Sequence, residues 1–354
     1  MSTKKIGVGI IGYGGMGNWH ASYTSDSDAV ELIGVYDIRE ERHELARSKN
    51  YGVFASEAEL LADPRIQIVT IATPNDTHKE IAIRAMKAGK HVVCEKPVVM
   101  TCKDLQDIID VANAEKKVFS VHQNRRWDVD YLVMKQIRES GELGEIFNIE
   151  SRIHGSRGIP GDWRAKPENG GGMLFDWAVH LIDQILMVFE GDKVNSVYCL
   201  NDHITNSEVD DGFRMILRFT SGVYAHIEVG TYNFINMPRF YIRGEKGTGI
   251  ITEWTEKCKV TRYTEWYQGE VVPVKTAAGL TKTMAPRDGT TTETYEIDIP
   301  KSDVHNYYRN ICVAIRGEEE SLIRHEQLLR TLRIIELCFE SHAQEKIIKL
   351  DTPI

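Results

Sequence analysis

The chain is poor in cysteine and has no CxxC pair. Its six cysteines, at positions 94, 102, 199, 258, 312 and 338, are scattered, as expected of reduced thiols in a cytoplasmic protein and not of a disulfide framework or a zinc site. It has no excess of positive charge. Forty-three Lys and Arg stand against 52 Asp and Glu, a net charge of −9, which leaves a nucleic-acid backbone little to bind. No apolar run approaches the roughly 20 residues that span a bilayer, and there is no internal repeat or low-complexity stretch. The start, MSTKKIGVGIIG, does not read as a signal peptide, because its apolar part is short and merges into a glycine-rich turn. No nucleic-acid or membrane partner is therefore expected.

What is present is an ordinary globular composition over 354 residues, 42% hydrophobic and 27% charged, long enough for two domains. Up to residue 125, short β-rich runs (KIGVGIIG, VELIGVYD, IQIVTIATP, KHVVCEKP, KVFSVHQN) alternate with helical patterns. Ser56-x-x-Glu59 and Thr101-x-x-Asp104 can each open a helix, and HKEIAIRAMKAG ends in a glycine, as helix C-termini often do. This rhythm predicts a doubly wound parallel sheet of Rossmann type. From 126 to 354 the pattern changes. DVDYLVMKQIRESGELG reads as a helix, and strands then follow in series, with hairpin turns at Thr220–Gly222 and Gly244–Gly247. The expectation is an α+β domain with a mostly antiparallel sheet. Residues 270–300 are left unassigned, and the helical C-terminal segment packs back on either domain.

Gly12-Tyr13-Gly14-Gly15-Met16-Gly17 is a G-x-G-x-x-G between the first strand and the first helix, and Asp37 stands 20 residues beyond Gly17 at the end of the second strand. In that context the glycines allow a tight turn and close approach to a pyrophosphate, which the helix N-terminus attracts. Asp37 would accept hydrogen bonds from the adenosine ribose, favouring NAD. Arg39, beyond Ile38, either stacks on adenine or pairs with a 2′-phosphate, which keeps NADP open. In a count of six strands, Thr73-Pro74-Asn75 closes the fourth, Glu95-Lys96-Pro97 the fifth and Gln123-Asn124 the sixth. Ligands bind at such strand ends in open α/β sheets.

One further segment carries chemistry, GGGMLFDWAVHLIDQIL (170–186), with Asp176 and His180 four apart. Together with the glycine motif, ATPNDTH (72–78), Glu95-Lys96-Pro97 and NRRWD (124–128), it resembles the Gfo/Idh/MocA oxidoreductases, which include glucose–fructose oxidoreductase and inositol dehydrogenases. The resemblance runs in order through essentially the whole chain. It implies a Rossmann domain and a second domain whose open sheet face serves homo-oligomerisation, as a dimer or tetramer. It also implies that Lys96–Pro97 is cis, aiming the lysine into the cleft. The substrate class it implies is a sugar, glycoside or cyclitol.

On a helix, Asp176 and His180 share one face. Oxidising a secondary alcohol needs a proton acceptor, and a histidine can serve at neutral pH. His180 is the expected base, and Lys96 would hold the reacting oxygen and stabilise charge growing on it. Asp176 orients the imidazole, binds a substrate hydroxyl, or does both; Asp183 is structural. Thr73, Pro74, Asn75, His78 (at the start of the next helix), Glu95, Lys96 and Gln123 are candidate cofactor contacts. Trp163 and Arg164 resemble a loop by which the second domain reaches over the cofactor; Arg164 is otherwise a solvated loop residue. Asn124, His154, Arg157 and Tyr232 are candidate substrate contacts, and the glycines 170–172 leave room for a ligand. The histidine spacing suggests no metal. The competing expectations are a glycoside 3-dehydrogenase or redox-assisted glycosidase that recycles bound NAD, and a non-catalytic nucleotide sensor.

Overall fold

Six consecutive buried residues, Ile6–Ile11 (β1), form an interior strand of the first sheet. A strand buried on both faces has no use for alternation, which is why the run is apolar throughout. The computed structural model describes residues 4–266, 272–281, 285–287 and 289–354. In it β1 is followed by β2 (Val30–Tyr36), β3 (Ile66–Ile71), β4 (His91–Cys94) and β5 (Phe119–Val121), all parallel, in the order β2-β1-β3-β4-β5. Helices α1 (Gly15–Ser25), α2 (Glu40–Ser48), α3 (Glu57–Ala62), α4 (His78–Lys87) and α5 (Cys102–Ala114) make the crossovers. Ser56 caps α3 and Thr101 caps α5, each accepting from the amide three residues on. The five β-rich runs are these five strands, not six, and Val53 adds only one bridge to Val35. Strand ends counted as fourth, fifth and sixth are thus those of β3, β4 and β5.

The second sheet has nine strands. They are β6 (Ile146–His154), β7 (Val194–Asp202), β8 (Gly212–Phe219), β9 (Tyr224–Gly230), β10 (Phe240–Gly244), β11 (Gly247–Ile251), β12 (Cys258–Tyr263), β15 (Thr292–Ile297) and β16 (Ile348–Lys349), while β13 (Val274–Thr276) and β14 (Gly279–Thr281) form a separate hairpin. Every pairing in the large sheet is antiparallel except β6 with β9. Both expected hairpin turns are present, joining β8 to β9 and β10 to β11. Residues 270, 271, 282–284 and 288 of the unassigned stretch, residues 267–269 just before it, and Met1–Thr3 of the N-terminal lead lie outside the described residues.

Helix α6 (Val129–Ser140) stops at Gly141 in the left-handed region. A π-helical turn, Leu174–Ala178, runs into α7 (Val179–Val188), every residue of which is buried. Pro167–Val188 is long and apolar enough to cross a membrane by length and composition, contrary to the expectation of no such run; 94% of its apolar window is buried within the fold. Helix α8 (Asn306–Ile315) packs on β2 of the first sheet. Helix α9 (His325–Gln344) touches α5, α7 and β7, and so ties the two sheets together.

Candidate active site

The glycine turn shows why each position needs no side chain. Gly12 has φ +90°, and a Cβ there would lie 2.6 Å from the Ala72 carbonyl oxygen; at Gly17 it would lie 1.9 Å from the Gly12 carbonyl oxygen. These two glycines let helix and strand approach. Gly14 and Gly15 differ, for a Cβ on either would meet nothing within 4 Å. Space is thus left open where the first turn of α1 begins, with no side chain capping its N–H groups. An uncapped helix start facing open space suits a pyrophosphate. Asp37 is buried at the same turn: Oδ2 accepts from the Tyr13 amide at 2.7 Å and Oδ1 from the Arg39 amide at 3.0 Å. Met16 and Ile38 are exposed beside it. Tyr13 enters the turn through its backbone amide. Its ring is fully buried against Tyr51 and turned away from the open space, so only its backbone faces the turn.

The Lys96–Pro97 bond is cis. Lys96 Nζ donates to Asp176 Oδ1 at 2.9 Å and to the Asp176 carbonyl oxygen at 3.0 Å. Arg164 Nε donates to Asp176 Oδ2 at 2.8 Å, while its guanidinium also pairs with Asp162 and lies over the Trp163 ring. Burial works to raise the Asp176 carboxyl, but the two cations outweigh it and hold the carboxyl below the usual carboxylate range. Asp176 therefore spends both oxygens on cations. Its carboxylate makes no hydrogen bond to the His180 ring among the described residues, so of the expected roles, orienting the imidazole, binding a substrate hydroxyl or both, no direct contact serves the first. The π-turn supplies the reason: Asp176 sits within it and His180 in the α-helix that follows, so the spacing of four is not one regular helical turn.

His180 is buried, and its Nδ1 lies 3.2 Å from Gln123 Oε1. Burial first, then the positive charges of Lys96 and Arg125, push its pKa well below the ordinary imidazole value. Nε2 has no hydrogen-bond partner among the described residues.

The remaining candidates divide between site and support. Glu95 does not face the cleft. Its Oε1 lies 2.8 Å from both His20 Nε2 and His122 Nδ1, and Oε2 accepts from the Lys96 amide. The fold thus gathers three groups of metal-ligating type that no spacing revealed, but at hydrogen-bond distances. His20 Nδ1 meets Tyr308 Oη at 3.1 Å, which meets Thr70 Oγ1 at 2.9 Å, so the network runs on as a hydrogen-bond chain beneath the strand end. His78 is fully buried too, clamping the Thr73 carbonyl to those of Pro97 and Val98. Asn75 donates to the Asn169 carbonyl and so ties the β3 loop to the second domain. Thr73 Oγ1 accepts from Thr77, and Pro74 caps the short turn Asn75–Thr77. Asn124 opens the turn Asn124–Trp127 and is half-buried. Asp183 is structural, held by Arg126 at 2.6 and 2.7 Å.

Both halves of the chain have relatives. Residues 6–123 match an oxidoreductase family with an NAD-binding Rossmann fold, and residues 131–249 match the Gfo/Idh/MocA C-terminal domain. The chain belongs to the Gfo/Idh/MocA oxidoreductase family. A solved structure of an NAD-binding protein from Listeria innocua is 44% identical, with a TM-score of 0.94 over 98% of this chain and all of the other. The scyllo-inositol 2-dehydrogenase (NADP+) IolW of Bacillus subtilis is 27% identical over 98% of this chain and 96% of the relative. With an uncharacterised oxidoreductase of Schizosaccharomyces pombe the identity is 36%, over 52% of this chain; the chain spans about half, 53%, of that relative's length.

In this Gfo/Idh/MocA chain a cleft of about 410 Å³ opens beside the π-turn, within the usual range of small-molecule sites, about 300–1,000 Å³. His154, Arg157, Met173, Trp177 and Thr231 are among its lining residues. His154 Nδ1 accepts from the Met237 amide, and Arg157 is exposed. Tyr232 lies one residue beyond the lining and packs on Phe234 instead. The space expected at the glycine run is already filled: a Cβ on Gly171 would strike the Arg164 carbonyl oxygen at 2.4 Å, and one on Gly172 would strike Asp210 Oδ1 at 2.2 Å. Sequence reasoning missed Trp177, whose ring meets the His180 edge and carries the Arg125 guanidinium at 4.4 Å; its place beside Asp176 was the available signal. It also missed Asp210, whose Oδ2 accepts from the Leu174 amide at 2.8 Å at the head of the π-turn. Nothing in the sequence marked that residue.

Proposed function

We propose that this oxidoreductase is a nicotinamide-dependent dehydrogenase acting on a secondary alcohol of a sugar, glycoside or cyclitol. The observation that carries the reading is the convergence of a cation and a neutral imidazole at one strand end. Lys96 is fixed by Asp176, and His180 has its Nε2 without a partner among the described residues. The open turn at Gly14 and Gly15, with Asp37 beneath it, is where the nucleotide would be held; the Asp37 carboxylate favours NAD over NADP by repelling a 2′-phosphate. When bound, the nicotinamide accepts the hydride from the carbon that bears the hydroxyl.

The protein residues handle the proton and the charge. Two of the three Lys96 N–H groups are committed to Asp176, and the third is available to the reacting oxygen. There it stabilises the negative charge that grows as the hydroxyl proton leaves. His180 Nε2 takes that proton, its low pKa keeping it neutral and ready at pH 7. In the reverse direction the imidazolium returns it. Arg164 neutralises Asp176, so the carboxylate does not compete for the proton. The cleft beside Trp177 offers an aromatic wall for a polyol ring, which supports the substrate class, as does the inositol chemistry named for IolW. Copies assembling through the outward sheet face, where Tyr224 is exposed, complete the proposal.

The test is an absorbance screen at 340 nm of sugars, glycosides and inositols with NAD and with NADP, on protein first checked for bound nicotinamide. Reduction of cofactor by at least one polyol supports the reading. No turnover of any of them, in either direction, rejects it.

A further inference from the structure

Gln123 is a single amide side chain between two groups on the catalytic helix. Its Nε2 donates to the Val179 carbonyl oxygen at 3.3 Å, and its Oε1 faces His180 Nδ1 at 3.2 Å. The two ends of a glutamine amide are distinguished only by what they bond. Here one partner is a backbone carbonyl, which can only accept, so the nitrogen must point at it. The oxygen is then the atom facing His180, and an amide oxygen also can only accept. Nδ1 must therefore carry the hydrogen. In a neutral imidazole the other nitrogen is then bare, and that nitrogen has no hydrogen-bond partner among the described residues.

We propose that Gln123 is a positioning residue that locks His180 in its Nδ1–H form and so presents Nε2 as the proton acceptor. This rests on the reading of His180 as the base, and it changes the role of Gln123 from the cofactor contact that its strand-end position suggested. Gln123 is 3% exposed, so water does not replace it readily as a partner for Nδ1. Both of its bonds reach neighbours in α7, and they fix ring and helix backbone together. An amide at this position has a further consequence. A carboxylate would also accept from Nδ1, but its charge would stabilise the imidazolium and raise the histidine pKa. Glutamine orients the ring while leaving it neutral.

Three proteins test this: the wild type, Gln123→Leu and Gln123→Glu, each studied as the full chain with bound NAD. Nitrogen-15 chemical shifts of the His180 ring report its tautomer without any turnover. The wild type should show one Nδ1–H form. Gln123→Leu should show loss of that single form, with kcat reduced about 10- to 100-fold, up to the lower end of what general-base catalysis contributes, and little change in the dissociation constant of NAD. Gln123→Glu should keep the Nδ1–H form and move the acidic limb of the kcat/KM profile upward by about one to three pH units, the usual effect of an opposite charge at this range. An unchanged ring tautomer in Gln123→Leu overturns the proposal. So does a weakened NAD affinity with an unaltered kcat and pH profile, which would make Gln123 a cofactor contact. If instead His180→Asn turns over normally, the base assignment falls, while the ring spectra still decide what Gln123 does.

Discussion

Lys96 Nζ and Asp176 Oδ1 are 2.9 Å apart, joining the end of β4 in one sheet to the π-turn beside the other. The contact is mostly buried, with the lysine 16% and the aspartate 8% exposed at the side chain. Such a pair does not justify itself by stability, since desolvating two charges offsets much of their attraction. Its use is geometric. The lysine is held by two bonds to a single residue, with one N–H to spare.

Replacing Lys96 by alanine should therefore lower kcat by at least about 100-fold, the loss typical of removing one donor to a developing oxyanion. NAD affinity, followed by tryptophan fluorescence, should change little, because the nucleotide turn and Asp37 are untouched. Wild-type turnover by Lys96→Ala would remove Lys96 from the chemistry.

Asp37 sets up a second expectation. Its carboxylate serves both the ribose site and the turn, through the Tyr13 and Arg39 amides. Asp37→Ala should weaken NAD more than NADP in parallel binding titrations, because the repulsion of a 2′-phosphate disappears together with the ribose contact. A control, Asp37→Asn, keeps an oxygen for the amides and should shift the NAD/NADP ratio in the same direction with less general loss. A greater loss of NADP than of NAD in either variant would contradict the ribose assignment.

The nucleotide half was legible because its signals are local. Gly12 to Gly17 and Asp37 follow from the strand–turn–helix pattern alone, as do the caps at Ser56 and Thr101. The five β-rich runs of that half are the five strands of the sheet, and only their count as six was off. The relation of Asp176 to His180 failed for a physical reason. A π-turn inserts a residue into the helical spacing, and what sits against its head is Asp210, 36 residues away in sequence. Likewise the partner of His180 is 57 residues upstream. The first pairing is set by how the second domain folds on itself and the other by how the two domains close on each other, and no spacing within either segment encodes them.

The depressed pKa of His180 fixes the sign of the pH dependence. Alcohol oxidation needs the neutral ring, and burial with Lys96 and Arg125 nearby disfavours the charged ring. With cofactor saturating, kcat/KM for oxidation should stay level as pH falls through 6.5, the ordinary histidine value, and decline only at lower pH. Reduction of the ketone, which needs the imidazolium, should instead become faster toward acid. His180→Asn should lose both limbs along with most activity. A midpoint above 6.5 for oxidation would show that the ring is not held neutral in the way described.

Asp210 supplies a stability test that is separate from catalysis. Its carboxyl is buried beneath the glycine run and accepts from the Leu174 amide. Burial pushes its pKa up to about 7, against the pull of backbone hydrogen bonds including that from Leu174. In the unfolded chain an aspartate titrates near 3.9. Between these values the folded protein holds a proton that the unfolded chain has released, so the stabilisation is complete below about pH 4. It is lost as pH rises toward 7, at no more than about 1.4 kcal/mol per pH unit. Asp210→Asn cannot ionise and retains an oxygen for the Leu174 amide, so it should be spared that loss. Denaturant melts of the two proteins should therefore diverge from pH 4 to pH 7 in favour of the variant, and run parallel above about pH 8. Taking the difference cancels every other titrating group common to both. A stability difference independent of pH would show that Asp210 is already ionised, and would leave its contact with the π-turn as an ordinary charged cap.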